Sequence, residues 1–231
     1  MIEGLPFYIT ATFFVTTLLT VWFLFAAVKK VDKQAASSKI LAFILPLWLL
    51  LTGYLATTDF YRNAEAMPPR VLAFGVLPAL ILIVIYFLFF RASFIDKLSL
   101  KTLTLLHIIR IPVELVLLWL FQTSLVPRIM TFEGWNFDIL SGVTALLIYW
   151  LAFRGGKENK TVLVVWNLFA LGLLINIVTI AVLSFRSPLQ RLAFDQPNVG
   201  ITHLPFIWLA TIIVPIVLFA HLASLYKLLR K

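Results

Sequence analysis

His107, Arg110 and Glu114 stand within the string HIIRIPVE, in the middle of an apolar stretch long enough to cross a bilayer. At about 100° per residue, the three side chains share a helical sector roughly 60° wide. A carboxylate on such a stripe takes a cation or a proton, and a guanidinium takes a carboxylate or phosphate. Ionisable groups at bilayer depth are costly, so they mark a functional site or a polar clamp between helices. Two alternatives stay open for Arg110 and Glu114, which are four residues apart: an ion pair closed along one helix, or a site for a substrate or proton.

The elements that must position this stripe are transmembrane helices. Of the 231 residues 62% are hydrophobic and 13% charged, and the mean hydropathy is +1.03, far above a soluble domain. Apolar stretches of bilayer length recur seven times, near residues 7–28, 40–58, 71–90, 103–126, 137–153, 162–185 and 205–226. They predict an all-α, polytopic membrane protein, a seven-helix bundle forming one transmembrane domain over residues 1–231. The first stretch has no basic residue before it and is too long for a signal peptide, so it is expected to remain as a helix. Cysteine is absent, which excludes disulfides, thiolate metal sites and cysteine nucleophiles.

Charge sets the expected orientation. Lys29, Lys30, Lys33 and Lys39 follow the first stretch; Arg91, Lys97 and Lys101 the third; Arg154, Lys157 and Lys160 the fifth; and Lys227, Arg230 and Lys231 the seventh. The opposite connections carry only Arg62, Arg70, Arg128, Arg186 and Arg191. By the positive-inside rule, the amino terminus is outside and the carboxyl terminus cytoplasmic. The acids Glu3, Asp59, Glu65, Glu133, Asp138 and Asp195 fall on the outer side. The net charge of +9 therefore belongs to a cytoplasmic rim facing anionic lipid head groups, and no basic-aromatic groove points to nucleic acid.

Within the stretches, Pro46, Pro78, Pro112 and Pro215 each remove a helix hydrogen bond and press on the carbonyl four residues earlier, predicting kinks. Kinks leave carbonyls for waters or cations, though proline is also common in membrane helices generally. Counting along the helices places His107 and His221 in one layer about 9 Å inside the cytoplasmic boundary, with Tyr149 and Asn167 at similar depth. Paired imidazoles can hold a haem iron or join a divalent-metal site. Hydrogen bonding to freed carbonyls is the simpler role.

The outer connections hold a second group: Glu133, Asn136 and Asp138 before the fifth stretch, and Asp195, Gln196, Asn198 and His203 before the seventh. Together they predict an outer vestibule, with Glu133, Asp138, Asp195 and His203 as oxygen and nitrogen ligands for a divalent metal. The alternative role is helix capping, with Trp135 in the aromatic belt. The connection from Arg186 to Leu204 is longer than a helix reversal needs, a length typical of lids and binding elements.

No lysine lies deep in the last stretch to carry retinal, and no phosphate loop, dinucleotide fingerprint or nucleophile elbow is present. The strings TFEGWNFDILSGVTA at 131–145, FDQPNVGITHLPFIWL at 194–209 and HIIRIPVE at 107–114 resemble an uncharacterised family of small seven-span bacterial membrane proteins. The resemblance spans the chain and implies a fold and an inner-membrane setting, with no site residue to carry over. The residues point to binding or translocation of a small polar or ionic solute at His107, Arg110, Glu114, Asn167 and His221. A haem- or metal-dependent membrane enzyme and a sensor or assembly protein are the alternatives.

Overall fold

The computed structural model describes residue 2, residues 4–28 and residues 35–230; Glu3, Lys29, Lys30, Lys33 and Lys231 lie outside the described residues. Its long elements are helices: α1 (Phe7–Ala27), α2 (Ala36–Thr57), α3 (Leu72–Phe89), α4 (Leu100–Gln122), α5 (Ile139–Phe153), α6 (Lys160–Leu183) and α7 (Leu209–Leu229). Six of these are long and apolar enough to cross a membrane, which makes this a multi-pass membrane protein. The exception is α5. Its 15 residues reach about 22 Å, short of a bilayer core of about 30 Å.

Polar residues inside the helices are satisfied locally. Thr16, Thr17 and Thr20 of α1 are buried, and their hydroxyls donate to the carbonyls of Thr12, Phe13 and Thr16 at 2.7–3.0 Å. Ser99 and Asn159 cap α4 and α6 by accepting from the amides of Thr102 and Val162. The carboxyl-terminal end of α7 closes one face of the bundle, where Lys227 Nζ donates to the carbonyls of Asp96 and Leu98 and Arg230 pairs with Asp96 at 2.6 Å. The Ser99 amide donates to the last carbonyl of α1, that of Ala27, on the same face.

The central element is α7, which packs on α1, α2, α3, α4 and α6, while α4 packs on α1, α5 and α7. By contrast α3 is peripheral. From Leu77 onward only Ala79 and Tyr86 are buried, and the helix leans chiefly on α7. Tyr86 adds one tie, its hydroxyl donating to the Ser37 carbonyl of α2 at 2.6 Å.

Three of the four predicted proline kinks coincide with a departure from α geometry, and the fourth does not. A π turn at Leu72–Val76 precedes Pro78, a 3-10 turn at His107–Ile109 precedes Pro112, and a π turn at Leu209–Ile213 precedes Pro215. In each case the residue four positions back, whose carbonyl the proline ring would strike, lies inside the altered turn: Phe74, Ile108 and Thr211. The carbonyl released at Thr211 accepts from Trp48 Nε1 at 3.2 Å, and Trp208 Nε1 returns a bond to Leu49 O at 3.0 Å, lacing α2 to α7. Around Pro46, α2 runs on as an α-helix.

The two π turns touch each other. A Cβ at Gly75 would stand 2.8 Å from Thr211 Cγ2, so the approach of α3 to α7 depends on glycine at that position. Gly75→Ala is expected to lower the thermal unfolding midpoint and Gly75→Ala/Thr211→Ser, which removes the opposing methyl, to recover most of the loss. Equal midpoints for the single and double variants would show that this contact does not set the spacing.

Candidate functional site

The stripe on α4 is buried throughout, His107 being 0%, Arg110 2% and Glu114 1% exposed. Glu114 lies eight residues before Gln122, about 12 Å along the axis from the end of α4, and Arg110 a further turn inward. Their partners are not on α4. Arg110 Nε pairs with Asp138 Oδ2 at 3.0 Å and Arg110 Nη1 donates to Ala170 O of α6 at 3.3 Å. Glu114 receives Asn136 Nδ2 on both carboxylate oxygens, at 2.7 and 2.6 Å. The intrahelical Arg110–Glu114 pair anticipated from their spacing is replaced by these two contacts to another segment.

Asn136 and Asp138 are therefore not part of an outer vestibule. The segment between α4 and α5 descends into the bundle, with Met130, Thr131 and Asn136 all 0% exposed. Tight turns hold it there: Thr131 Oγ1 donates to Arg128 O, the Gly134 amide donates to Thr131 O, and Asn176 Nδ2 of α6 donates to Trp135 O. Asn136 joins the turns to the charges, since its amide nitrogen also donates to Met130 O at 2.9 Å and its oxygen accepts from the Asp138 amide at 3.0 Å. Irregular backbone survives at membrane depth only where protein or water covers it. Linear depth counting misses this because it ends each apolar stretch at the surface and leaves the polar residues between them in an exposed connection.

The descent also accounts for the short α5, which starts beside Arg110 near mid-bundle and completes only the remaining part of the crossing. Its first turn comes very close to α4: a Cβ at Gly142 would lie 2.8 Å from Ile111 Cγ1 and 3.0 Å from Ile111 N. The amino-terminal end of α5 thus stands among the carboxylates, where the helix dipole favours negative charge.

One turn closer to the other face, His107 and His221 stack with ring centroids 4.0 Å apart and 22° between planes. Asn167 joins them. Its amide donates to Leu163 O at 2.8 Å, so its oxygen accepts from His221 Nδ1 at 2.9 Å, fixing that tautomer. Trp166 packs edge-on to His107 at 5.2 Å and donates to Thr144 Oγ1. Rings in face contact leave no room for a macrocycle between them, and nearly parallel planes cannot direct their in-plane lone pairs at one ion. Tyr149, placed in this layer by depth, instead packs on Phe153 of its own helix.

The other outer residues separate. Glu133 and Asp195 are exposed. Gln196 Nε2 donates to the carbonyls of Phe121 and Val126 at the end of α4, and Asn198 Nδ2 donates to Ala181 O near the end of α6, so both act as caps. His203 Nδ1 lies 3.2 Å from Val199 O and from Thr202 Oγ1. Burial, with Arg62 nearby, holds its imidazole below the usual histidine range. The divalent-metal cluster of Glu133, Asp138, Asp195 and His203 does not form: among the described residues, no three His, Asp or Glu side chains converge to hold a metal ion.

A cavity of about 120 Å³ opens between α3, α4, α6 and α7. Its walls are aliphatic, with Val76, Leu117, Ile177 and Ile213 among them, and the charged residues on its wall are Arg110, Glu114 and Asp138. Arg110 Nη2 and Asp138 Oδ1 are buried there without a hydrogen-bond partner among the described residues. Such atoms in an apolar wall suit a small ligand or waters with polar contacts to offer. Sequence reasoning missed the Ala170 carbonyl, which carries no side-chain signal, and Ser141, whose amide donates to Asp138 O and whose buried hydroxyl has no partner among the described residues.

Asn136→Ala removes the amide that donates to both Glu114 oxygens and to Met130 O and is expected to cost about 3 kcal/mol in unfolding free energy. Glu133→Gln, on the exposed part of the same segment, is expected to stay within about 0.5 kcal/mol of the parent. Equal effects in chemical denaturation would show that Asn136 does not anchor the segment.

A family model described as a domain of unknown function matches residues 67–229, a range that takes in α3 to α7 and every residue of the charged site. Neither the curated proteins nor the solved structures include a match to the chain. With most of its length covered by that model, the chain belongs to the DUF8737 family, a domain of unknown function.

Proposed function

We propose that this chain is a seven-span protein of a bacterial inner membrane, amino terminus outside and carboxyl terminus cytoplasmic, that binds a small polar or ionic solute at Arg110, Glu114 and Asp138 and passes it across the bilayer. The observation that carries this reading is the cavity itself: three charged side chains on its wall, two of them with unpartnered buried atoms, surrounded by aliphatic residues at membrane depth. Intramembrane ionisable groups facing a cavity are the usual mark of a solute or proton path. The seventh span is the short α5 together with the descending segment before it. The basic loops at Arg91, Lys97 and Lys101 share a face with the end of α7, consistent with one cytoplasmic rim.

Passage, as distinct from binding, draws support from α3. A second cavity of about 240 Å³ lies between α2, α3 and α7, lined by residues such as Ile44, Ile83, Ile216 and Phe219. The charged cavity borders the earlier part of α3, at Leu72 and Val76, and the second cavity the later part, from Pro78 to Tyr86. Between them stand the facing π turns and Pro78 and Pro215, joints of the kind that transporters use to move one element against another. Because α3 leans chiefly on α7, its displacement disturbs little of the core.

The absence of native cysteine makes this testable with single cysteines. In vesicles, Ala210→Cys in the charged cavity is expected to react with a water-soluble thiol reagent, and Ile216→Cys in the second cavity to react from the opposite side. Phe13→Cys, in the packed core, is expected to stay inert. Failure of Ala210→Cys to react from either side would remove the solute site.

A further inference from the structure

We infer that the site is selective for lipophilic monovalent cations, small ammonium-type molecules with an apolar body, held by Glu114. This rests on the proposed solute-binding role and names its substrate class. The charged residues of the cavity wall are one guanidinium and two carboxylates, a formal charge of −1. Arg110 is committed to Asp138 at 3.0 Å, whereas Glu114 is met by the neutral amide of Asn136. Each Glu114 oxygen uses one lone pair on that amide and keeps another. A monovalent cation beside Glu114 makes the wall neutral, and that pairing is strong in a water-poor, low-dielectric setting.

The rest of the wall sets the ligand's body. Val76, Val113, Leu117, Ile177, Ile213 and Val217 offer aliphatic surface and no hydrogen bonds, so a hydrated inorganic ion would lose its water shell without replacement ligands. A tertiary ammonium ion meets both halves of the cavity: its alkyl groups shield the charge from water, and each methylene that enters is worth about a fourfold gain in affinity. Asp138 Oδ1, buried without a partner among the described residues, is a further acceptor beside this wall for the ammonium N–H. The stacked histidines lie outside this wall and contribute no charged partner to it in their observed contacts.

The test is calorimetry on the full chain in lipid nanodiscs, using trimethyl-, ethyldimethyl- and diethylmethylammonium, propanesulfonate and butanol as probes, all small enough for the cavity. Affinity is expected to rise along the ammonium series, with no detectable binding of propanesulfonate. Glu114→Gln is expected to weaken diethylmethylammonium more than about tenfold while Glu133→Gln leaves it unchanged. Because these signs are read on the unmodified chain, the proposal stays testable even if Glu114→Gln does not fold. Propanesulfonate binding as tightly as diethylmethylammonium would overturn the cation assignment and leave the solute site standing. Binding of none of the probes, charged or neutral, would overturn both.

Discussion

In hydrocarbon no water competes for a polar group, so a charge carried into the bilayer has to find its partner inside the protein. Arg110 meets that demand through Asp138, and much of the half of the molecule beyond it follows. For Asp138 to stand 3.0 Å from a guanidinium near the middle of α4, the chain between residues 123 and 138 has to leave the surface and descend. Once down, its own backbone needs partners, and Asn136 supplies several at once by bonding Glu114, Met130 O and the Asp138 amide. Then α5 begins at depth, so 15 residues suffice, and Gly142 gives it the room to lie against Ile111. A buried ion pair adds little net stability over apolar residues of the same volume, yet removing one partner costs about 3–5 kcal/mol. Its structural effect is to fix register and depth.

The prolines act through the same rule. Each breaks a backbone ladder, and the released carbonyl must be covered; Trp48 does this for Thr211 from a neighbouring helix. That solution locks α2 to α7, while α3 is held by its close approach at Gly75, by the Tyr86 hydroxyl on Ser37 O and by ring contacts with Phe219. The outcome is a bundle with a firm centre at α7 and a loosely held flank, and both cavities border that flank. The charged cavity therefore lies between a buried ion network and the least buried of the long helices.

Much of this was legible in residue order. The spacing of His107, Arg110 and Glu114 announces a buried stripe, and equal six-residue offsets from Lys101 and Lys227 bring His107 and His221 to one layer, with Asn167 at similar depth, where the structure also finds those three together. Partners were less legible. Asn136 and Asp138 follow Gly134 and Trp135 in a polar string that reads as an exposed connection, because hydropathy reports average polarity and not the descent that tight turns allow. The vestibule failed for the same reason: Gln196 and Asn198 are polar because helix ends need donors, which composition cannot distinguish from ligand binding. Pro46 shows the limit of proline as a signal, since α2 continues through it.

Arg110 and Asp138 act as one unit, a coupling that a double-mutant cycle measures directly. Arg110→Met, Asp138→Leu and the combined variant would be compared with the parent in unfolding free energy in bicelles. Each single change strands a buried charge and is predicted to cost about 3–5 kcal/mol, while the combined variant, with both charges gone, is predicted to lose no more than either single one. A combined loss equal to the sum of the two would contradict the account, since it would mean that the two side chains are stabilised independently of each other.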